Sequence, residues 1–398
     1  MSTTTELRMA GGGHAVRVSN GVPAPLSVIA AAGANQTVEH GLARRFGPTA
    51  CVYASLDLFG EDEVDLQRRQ IAGSLRHDGA SDQVIDAVAA RVAAHRHAPG
   101  AVAVFAADDG QVLHEQWLRG ATGSDIVDFT TPVRLLPLLD WSQDRPPYVL
   151  VVIDRSGADL TTSAGGDQPA QVTTVEGFDD EIERNAPGGW SQPRYQQRAE
   201  DSWRHNAAQV AGAVEKSAAS VGAQVLILAG DVRAVQLLTA QLPITPGTLV
   251  YRIAGSRTGD GSQADRAHQV DEVLRDAAQS QTRRLLDRFQ EQLSPGGLAV
   301  AGSADTIAAL TAGRVETLLI SDATSPGLQV EVWFAATHEI YPDGAAALTS
   351  PGPVRIGQLR DVAVRSALLS GARVRIVEHD IPSGPDGGIG ALCRFRES

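Results

Sequence analysis

Lysine is almost missing from this chain: Lys216 is the single one among 34 basic residues, so nearly all positive charge is arginine. Arginine suits bidentate phosphate contacts and stacking, and an arginine-rich codon usage produces the same count. An excess of basic charge is also missing. The 47 acidic residues leave a formal net charge of -13, which argues against a general polyanion binder. Any contact with RNA must come from local patches. Only two cysteines occur, Cys51 and Cys393, too few for a zinc knuckle and both set in apolar runs where a small buried residue fits. No apolar run approaches the length of a membrane span, and Met1 to Glu6 has no signal-peptide core. These absences lead to the expectation of a soluble cytoplasmic protein.

Several catalytic signatures are missing as well. The glycines Gly255, Gly259 and Gly261 lack the lysine of a phosphate-binding loop and the spacing of a dinucleotide fingerprint. There is no Gly-x-Ser-x-Gly elbow. His95 and His97 stand close together without a third ligand at a useful spacing. No cofactor and no metal site is expected.

What remains is ordinary globular composition: 398 residues, 43% hydrophobic, with glycine and proline near average usage. That length is too great for one core and predicts two or three domains. The expected class is α/β with three domains, 1–145, 146–270 and 271–398. In the first, a strand at 50–56, helices at 64–75 and 82–94, and a hairpin of 101–106 with 112–118 follow from periodicity. Pro146-Pro147 marks the boundary. The second opens on the continuous apolar run Tyr148 to Asp154, the pattern of a buried central strand. A turn at 155–158 leads to a further strand. A long acidic loop then carries Asp179-Asp180-Glu181, and a helix runs from about Arg194 to Ala219. Strand 224–229, helix 232–242 and strand 248–253 complete a mixed sheet flanked by helices. A long helix at 263–293 leads into an α/β/α sandwich with strands at 298–301, 315–321 and 373–377 and a closing strand before Phe395.

The stretch Gly188-Gly189-Trp190-Ser191-Gln192, followed by Arg194 and Arg198, carries the most chemistry. Paired glycines let backbone amides approach a phosphate or ester closely. A tryptophan there would stack on a base, and two arginines one helical turn apart would hold phosphates. The plainer reading is a glycine turn with Ser191 as N-cap and Trp190 packed inward. Asp154 and Asp231, both at strand ends, admit a two-metal nuclease reading, beside the plainer one of turn-forming aspartates. Glu61-Asp62-Glu63 and Asp179-Asp180-Glu181 are expected to be solvated loops.

The last two-thirds of the chain resembles the archaeal and eukaryotic peptide-chain release factor family, which includes Pelota. Thr306 to Asp322 is similar to that family's helix, glycine turn and strand; Gly371 to Val377 and Gly387 to Phe395 are similar to its later strands. Val151-Val152-Ile153-Asp154 and the paired glycines fall in matching order. Gly188 to Arg198 is more similar still to the family's bacterial branch, where a Gly-Gly-Trp/Phe-Ser-Gln loop precedes an arginine-rich helix. The resemblance implies a ribonuclease-H-like middle domain and a C-terminal domain like ribosomal protein L7Ae. It implies that Gly188, Gly189, Trp190, Ser191, Gln192, Arg194 and Arg198 contact ribosomal RNA in the A site of a 70S ribosome. The N-terminal domain would sit near the decoding centre, and elongation factor Tu is an implied companion. Termination in this family uses Gly-Gly-Gln. Here Trp190 stands third and Gln192 comes two positions later, a displacement that argues against standard release chemistry. A noncatalytic, monomeric hibernation factor is the reading this implies; the alternative is a peptidyl-tRNA hydrolase in which Gln192 places the water.

Overall fold

The computed structural model describes residues 4–9, 13–19, 34–57, 60–95, 98–121, 123–166, 170–177, 192–243, 247–257, 263–321, 326–378, 381 and 383–396. The chain divides into two compact units, one of residues 1–35 with 144–279 and one of residues 36–143 with 280–398.

The chain begins in the first unit with β1 (Thr4–Met9) and β2 (Gly13–Ser19). It then crosses to the second with α1 (Ala34–Ala43), β3 (Thr49–Ser55), α2 (Glu61–His77), α3 (Asp82–Ala94), β4 (Ala101–Ala107), β5 (Val112–Leu118), β6 (Ile126–Thr130) and α4 (Leu136–Gln143). Back in the first unit come β7 (Tyr148–Asp154), β8 (Gly157–Ser163), β9 (Gln171–Glu176), α5 (Gln192–Val221), β10 (Val225–Gly230), α6 (Val232–Thr239) and β11 (Leu249–Arg252). Helix α7 (Gln263–Gln292) starts in the first unit and ends in the second. The remainder is β12 (Ala299–Ala301), α8 (Ser303–Thr311), β13 (Val315–Ser321), β14 (Glu331–Ala335), β15 (Ile340–Tyr341), α9 (Gly344–Ala347), β16 (Val354–Gln358), α10 (Leu359–Leu369), β17 (Arg373–Val377) and β18 (Ile389–Cys393).

The first unit is one mixed seven-stranded sheet in the order β2-β1-β11-β10-β7-β8-β9. Strands β1, β11, β10 and β7 run parallel, while β2, β8 and β9 pair antiparallel. The apolar run of β7 is buried on both faces. Val149, Val151 and Ile153 meet α5 and α6 through Val210, Val214 and Leu238. Leu150 and Val152 meet α7 through Val270, Val273 and Leu274. Double burial is what a continuous rather than alternating apolar strand requires.

In the second unit, β5-β4-β3-β6 form an antiparallel sheet. Ala50, Val52, Val102 and Val104 face α2 and α3. Cys51, Tyr53 and Phe105 face a larger cluster that continues through Leu310, Phe334, Leu359 and Val364. Both cysteines are buried and neither forms a disulfide, and burial pushes the Cys51 thiol up to about 12. The C-terminal part holds a four-stranded sheet, β12-β18-β13-β17, and a small one, β15-β14-β16. The Gln143 side chain donates to the Ile376 carbonyl at 3.1 Å and accepts from its amide at 3.0 Å, so α4 covers the open edge of β17 with an amide that imitates a strand.

One expectation changes here. Glu61, Asp62 and Glu63 form the first turn of α2 rather than a loop, where carboxylates meet the positive end of the helix dipole.

Candidate functional site

The candidate stretch connects the edge strand β9 to α5, a helix of 30 residues. Gly188, Gly189, Trp190 and Ser191 lie outside the described residues, as do Asp179, Asp180 and Glu181. Gln192, Arg194 and Arg198 belong to the first turns of α5, where a helix has amides without intrahelical partners and a partial positive charge. Farther along, Ala207, Val210, Ala211 and Val214 are buried against β7 and β8, which anchors the helix to the sheet.

The root of this connection is held by a compact set of polar groups. Asp154 Oδ1 accepts from the Ser156 amide at 2.7 Å, the Ser156 hydroxyl at 2.7 Å and the Gly157 amide at 3.0 Å. Gly157 is required at this turn: its φ is +148°, and an added Cβ would lie 2.1 Å from the Val175 carbonyl oxygen. Arg257, from the segment after β11, donates to both oxygens of Asp159 at 3.0 and 3.2 Å and to Asp154 at 3.3 Å. Burial alone would raise the Asp154 carboxyl. The Ser156 hydrogen bonds and the Arg257 charge outweigh it and hold the carboxyl below its usual range. The hydrogen bond to Asp159 raises Arg257 in turn.

Asn206 locks the other side. It is buried on α5, and its amide donates to the Arg155 carbonyl at 3.1 Å. Gly177, the last described residue before the candidate stretch, donates to the Ser156 carbonyl at 2.7 Å. A Cβ on Gly177 would lie 2.4 Å from Asn206 Nδ2. Helix α5, the β7–β8 turn and the exit of β9 are thereby tied together. Beside them a shallow cleft is lined by Asp154, Arg155, Trp203, Asn206 and Ala234, and the Arg233 guanidinium stacks 5.5 Å from the Trp203 ring.

Sequence reasoning missed both Asn206 and Arg257. A polar residue next to the apolar face of α5 was the available signal for Asn206. Nothing in the local pattern around Gly255-Ser256-Arg257 announces a partner about a hundred residues away.

The strand-end aspartates are structural. Asp154 serves its turn and Arg257, and Asp231 caps α6 by accepting from the Arg233 and Ala234 amides at 2.9 and 3.0 Å. Among the described residues no group of three or more His, Cys, Asp or Glu side chains is placed to hold a metal ion. His95 pairs with Glu115, and His97 lies outside the described residues. No helix among the described residues is long and apolar enough to cross a membrane.

Comparison with known proteins shows what the chain is similar to. Two uncharacterised proteins of Mycobacterium tuberculosis, from strains CDC 1551 and H37Rv, are 25% identical over 362 residues, covering 88% of this chain and 94% of theirs. Archaeoglobus fulgidus Pelota is similar over 91% of this chain and 92% of its own at 15% identity and a TM-score of 0.34. The S. cerevisiae translation termination-like factor Dom34 covers 75% and 79% at 11% identity and a TM-score of 0.40. The segment that builds the β7–β11 sheet, its helices and the candidate connection, residues 147–294, matches the model of bacterial archaeo-eukaryotic release factor family 2.

Proposed function

We propose that this protein binds the ribosome as a hibernation factor, occupying the A site of idle 70S particles and reaching toward the peptidyl-transferase centre with Gly188, Gly189 and Trp190. One observation carries this reading. Within the segment that matches the release factor family, the Gly-Gly-Trp-Ser-Gln stretch joins a sheet edge to the head of a long helix bearing Arg194 and Arg198. The described flanks of the stretch, Gly177 and α5, are both tied to the β7–β8 turn, which suits delivery of an aromatic side chain to RNA. Trp190 would stack on a base, Arg194 and Arg198 would neutralise phosphates, and Ser191 and Gln192 would complete the contact.

The same reading extends to the rest of the chain. Residues 1–145 would lie near the decoding centre, with β1 and β2 lent to the middle sheet. Residues 146–270 would be the ribonuclease-H-like middle domain, and 271–398 the domain of the L7Ae type. The loop resembles that of the bacterial hibernation factor Balon, and elongation factor Tu is the companion this suggests. The site is cytoplasmic by the same argument. Trp190 at the third loop position in place of glutamine favours occupancy over hydrolysis.

The test is sedimentation of the purified protein with vacant 70S ribosomes and with 70S particles carrying peptidyl-tRNA, scoring co-pelleting and peptide release together. Binding to vacant ribosomes without release is expected. The double variant Trp190→Ala/Arg194→Ala should weaken it about tenfold or more, since one lost base stack costs roughly 1–3 kcal/mol. Release that disappears in Gln192→Ala would replace this reading with peptidyl-tRNA hydrolysis, and absence of binding to either particle would remove the ribosomal assignment.

A further inference from the structure

The small sheet of the second unit is buried on one face and partly exposed on the other. Val332, Phe334 and Ile340 point into the large apolar cluster. Strand alternation turns Glu331 and Trp333 to the opposite side. The register places Tyr341 directly across from Trp333 on β15 and Ile356 directly across on β16. Tyr341, Trp333 and Ile356 therefore form one row across three strands. Ile356 is 44% exposed, while the two aromatics are half-buried. Gly344 lies beside the indole, where an added Cβ would be 3.7 Å from the ring. The short helix that Gly344 begins is capped by Leu348, which is 88% exposed.

Charge on this face has one sign. Glu331 shares it with Trp333, and Glu339, whose carboxylate accepts from the Thr337 hydroxyl, immediately precedes β15. The one basic residue of the three strands, Arg355, faces the other way, its guanidinium 5.2 Å from the Phe46 ring. An apolar row bordered by carboxylates selects its occupant. Nucleic acid is repelled by the acidic border. A second copy of the chain would set the same carboxylates against themselves across a twofold axis.

We propose that this face docks a basic polypeptide segment. An aliphatic or aromatic side chain of the segment would pack on Trp333, Ile356 and Leu348, with lysine or arginine on either side opposite Glu331 and Glu339. A central apolar anchor with charges at the border is the usual division of labour in protein recognition. The assignment is independent of the ribosomal reading, because it uses neither the candidate loop nor α5.

The experiment uses the full chain and two labelled short peptides, one alternating Lys and Leu and one alternating Glu and Leu, followed by fluorescence anisotropy. The Lys/Leu peptide should bind and the Glu/Leu peptide should not. Ile356→Asp and Leu348→Asp, both at exposed positions and checked for an unchanged melting temperature, should each weaken binding about tenfold. Glu331→Lys with Glu339→Lys should transfer preference to the Glu/Leu peptide. Trp190→Ala should leave all of this unchanged, which separates failure here from failure of the ribosomal reading. Equal binding of the Lys/Leu peptide to every variant would reduce the effect to nonspecific attraction to an acidic chain and overturn the proposal. A wild-type dimer dissolved by Ile356→Asp would assign the face to a second copy, and labelled single-stranded RNA lost in the same variants would assign it to nucleic acid; either result also overturns it.

Discussion

The two units treat charge in opposite ways. Among its described residues the first buries the polar side chains Thr162, Ser163 and Asn206 but no charged one. Its prominent ions are partly exposed: Asp154 and Asp231 stand at the ends of strands, where they fix a turn and start a helix, and Arg257 holds Asp154 and Asp159 from the segment after β11. The second unit buries Glu39, Arg314, Arg360, Asp361 and Arg365. The difference follows from architecture. A parallel sheet covered by helices on both faces has room only for apolar side chains inside, so its ions are pushed to the rim. The second unit instead joins three sheets over a shared cluster, and ions are caught where the sheets meet. Arg134, for example, lies 2.7 Å from Asp128 and 3.7 Å from the buried Asp361. Rim charges keep much of their hydration, whereas trapped ones carry a desolvation cost that their partners must offset.

Truncating one arginine from each unit is the most direct way to break this contrast. Arg365 is among the largest fully buried side chains. It donates to the carbonyls of Ala335, Ala336 and Thr337 at 3.1, 2.7 and 2.8 Å and packs near the rings of Phe46 and Phe334. Burial lowers it to about 10, so it stays charged at neutral pH. Arg365→Ala leaves a cavity together with unsatisfied carbonyls, and should cost about 4 kcal/mol in urea denaturation. Arg257→Ala breaks an ion pair whose carboxylates reach water, and should cost about 1 kcal/mol. Equal losses would dissolve the distinction.

Glu39 sharpens the contrast through pH. Burial raises its carboxyl to about 7 from an ordinary 4.5. The folded state therefore holds a proton that the unfolded state has already lost between those values. Stability contributed by the neutral form is full below about 4.5 and disappears as pH rises through about 7, a loss of ~3 kcal/mol across the window. Glu39→Gln should flatten that slope in melting temperature measured from pH 4.5 to 8. A slope unchanged in the variant would place the titration elsewhere.

How much of this was legible in the sequence depended on whether a residue's environment is local. The run Tyr148 to Asp154, the helix Asp82–Ala94 and the strand Val315–Ser321 coincide with their expected spans, because periodicity states burial directly. Strand β9 was not legible: Gln171–Glu176 is an edge strand with nearly every residue exposed, so no alternation marks it. The small sheet was missed for a related reason. Its strands are as short as Ile340–Tyr341 and are set by pairing across the sheet rather than by pattern. The candidate loop was visible from its glycines, but its anchor was not. Arg257 and Asn206 act through partners about a hundred and about fifty residues away, and no spacing rule reaches that far.

The smallest expected effect tests the rim itself. Asp231 is exposed and accepts two amide hydrogen bonds at the start of α6. Asp231→Ala removes that cap and should cost about 1 kcal/mol, while Asp231→Asn, which keeps an acceptor oxygen, should cost almost nothing. Because the carboxylate acts on its own helix, neither variant should alter ribosome co-sedimentation. Loss of affinity in Asp231→Asn at unchanged stability would show that this rim charge meets a ligand directly. The division between charges that build the first unit and residues that serve its function would then have to be redrawn around the head of α6 as well as α5.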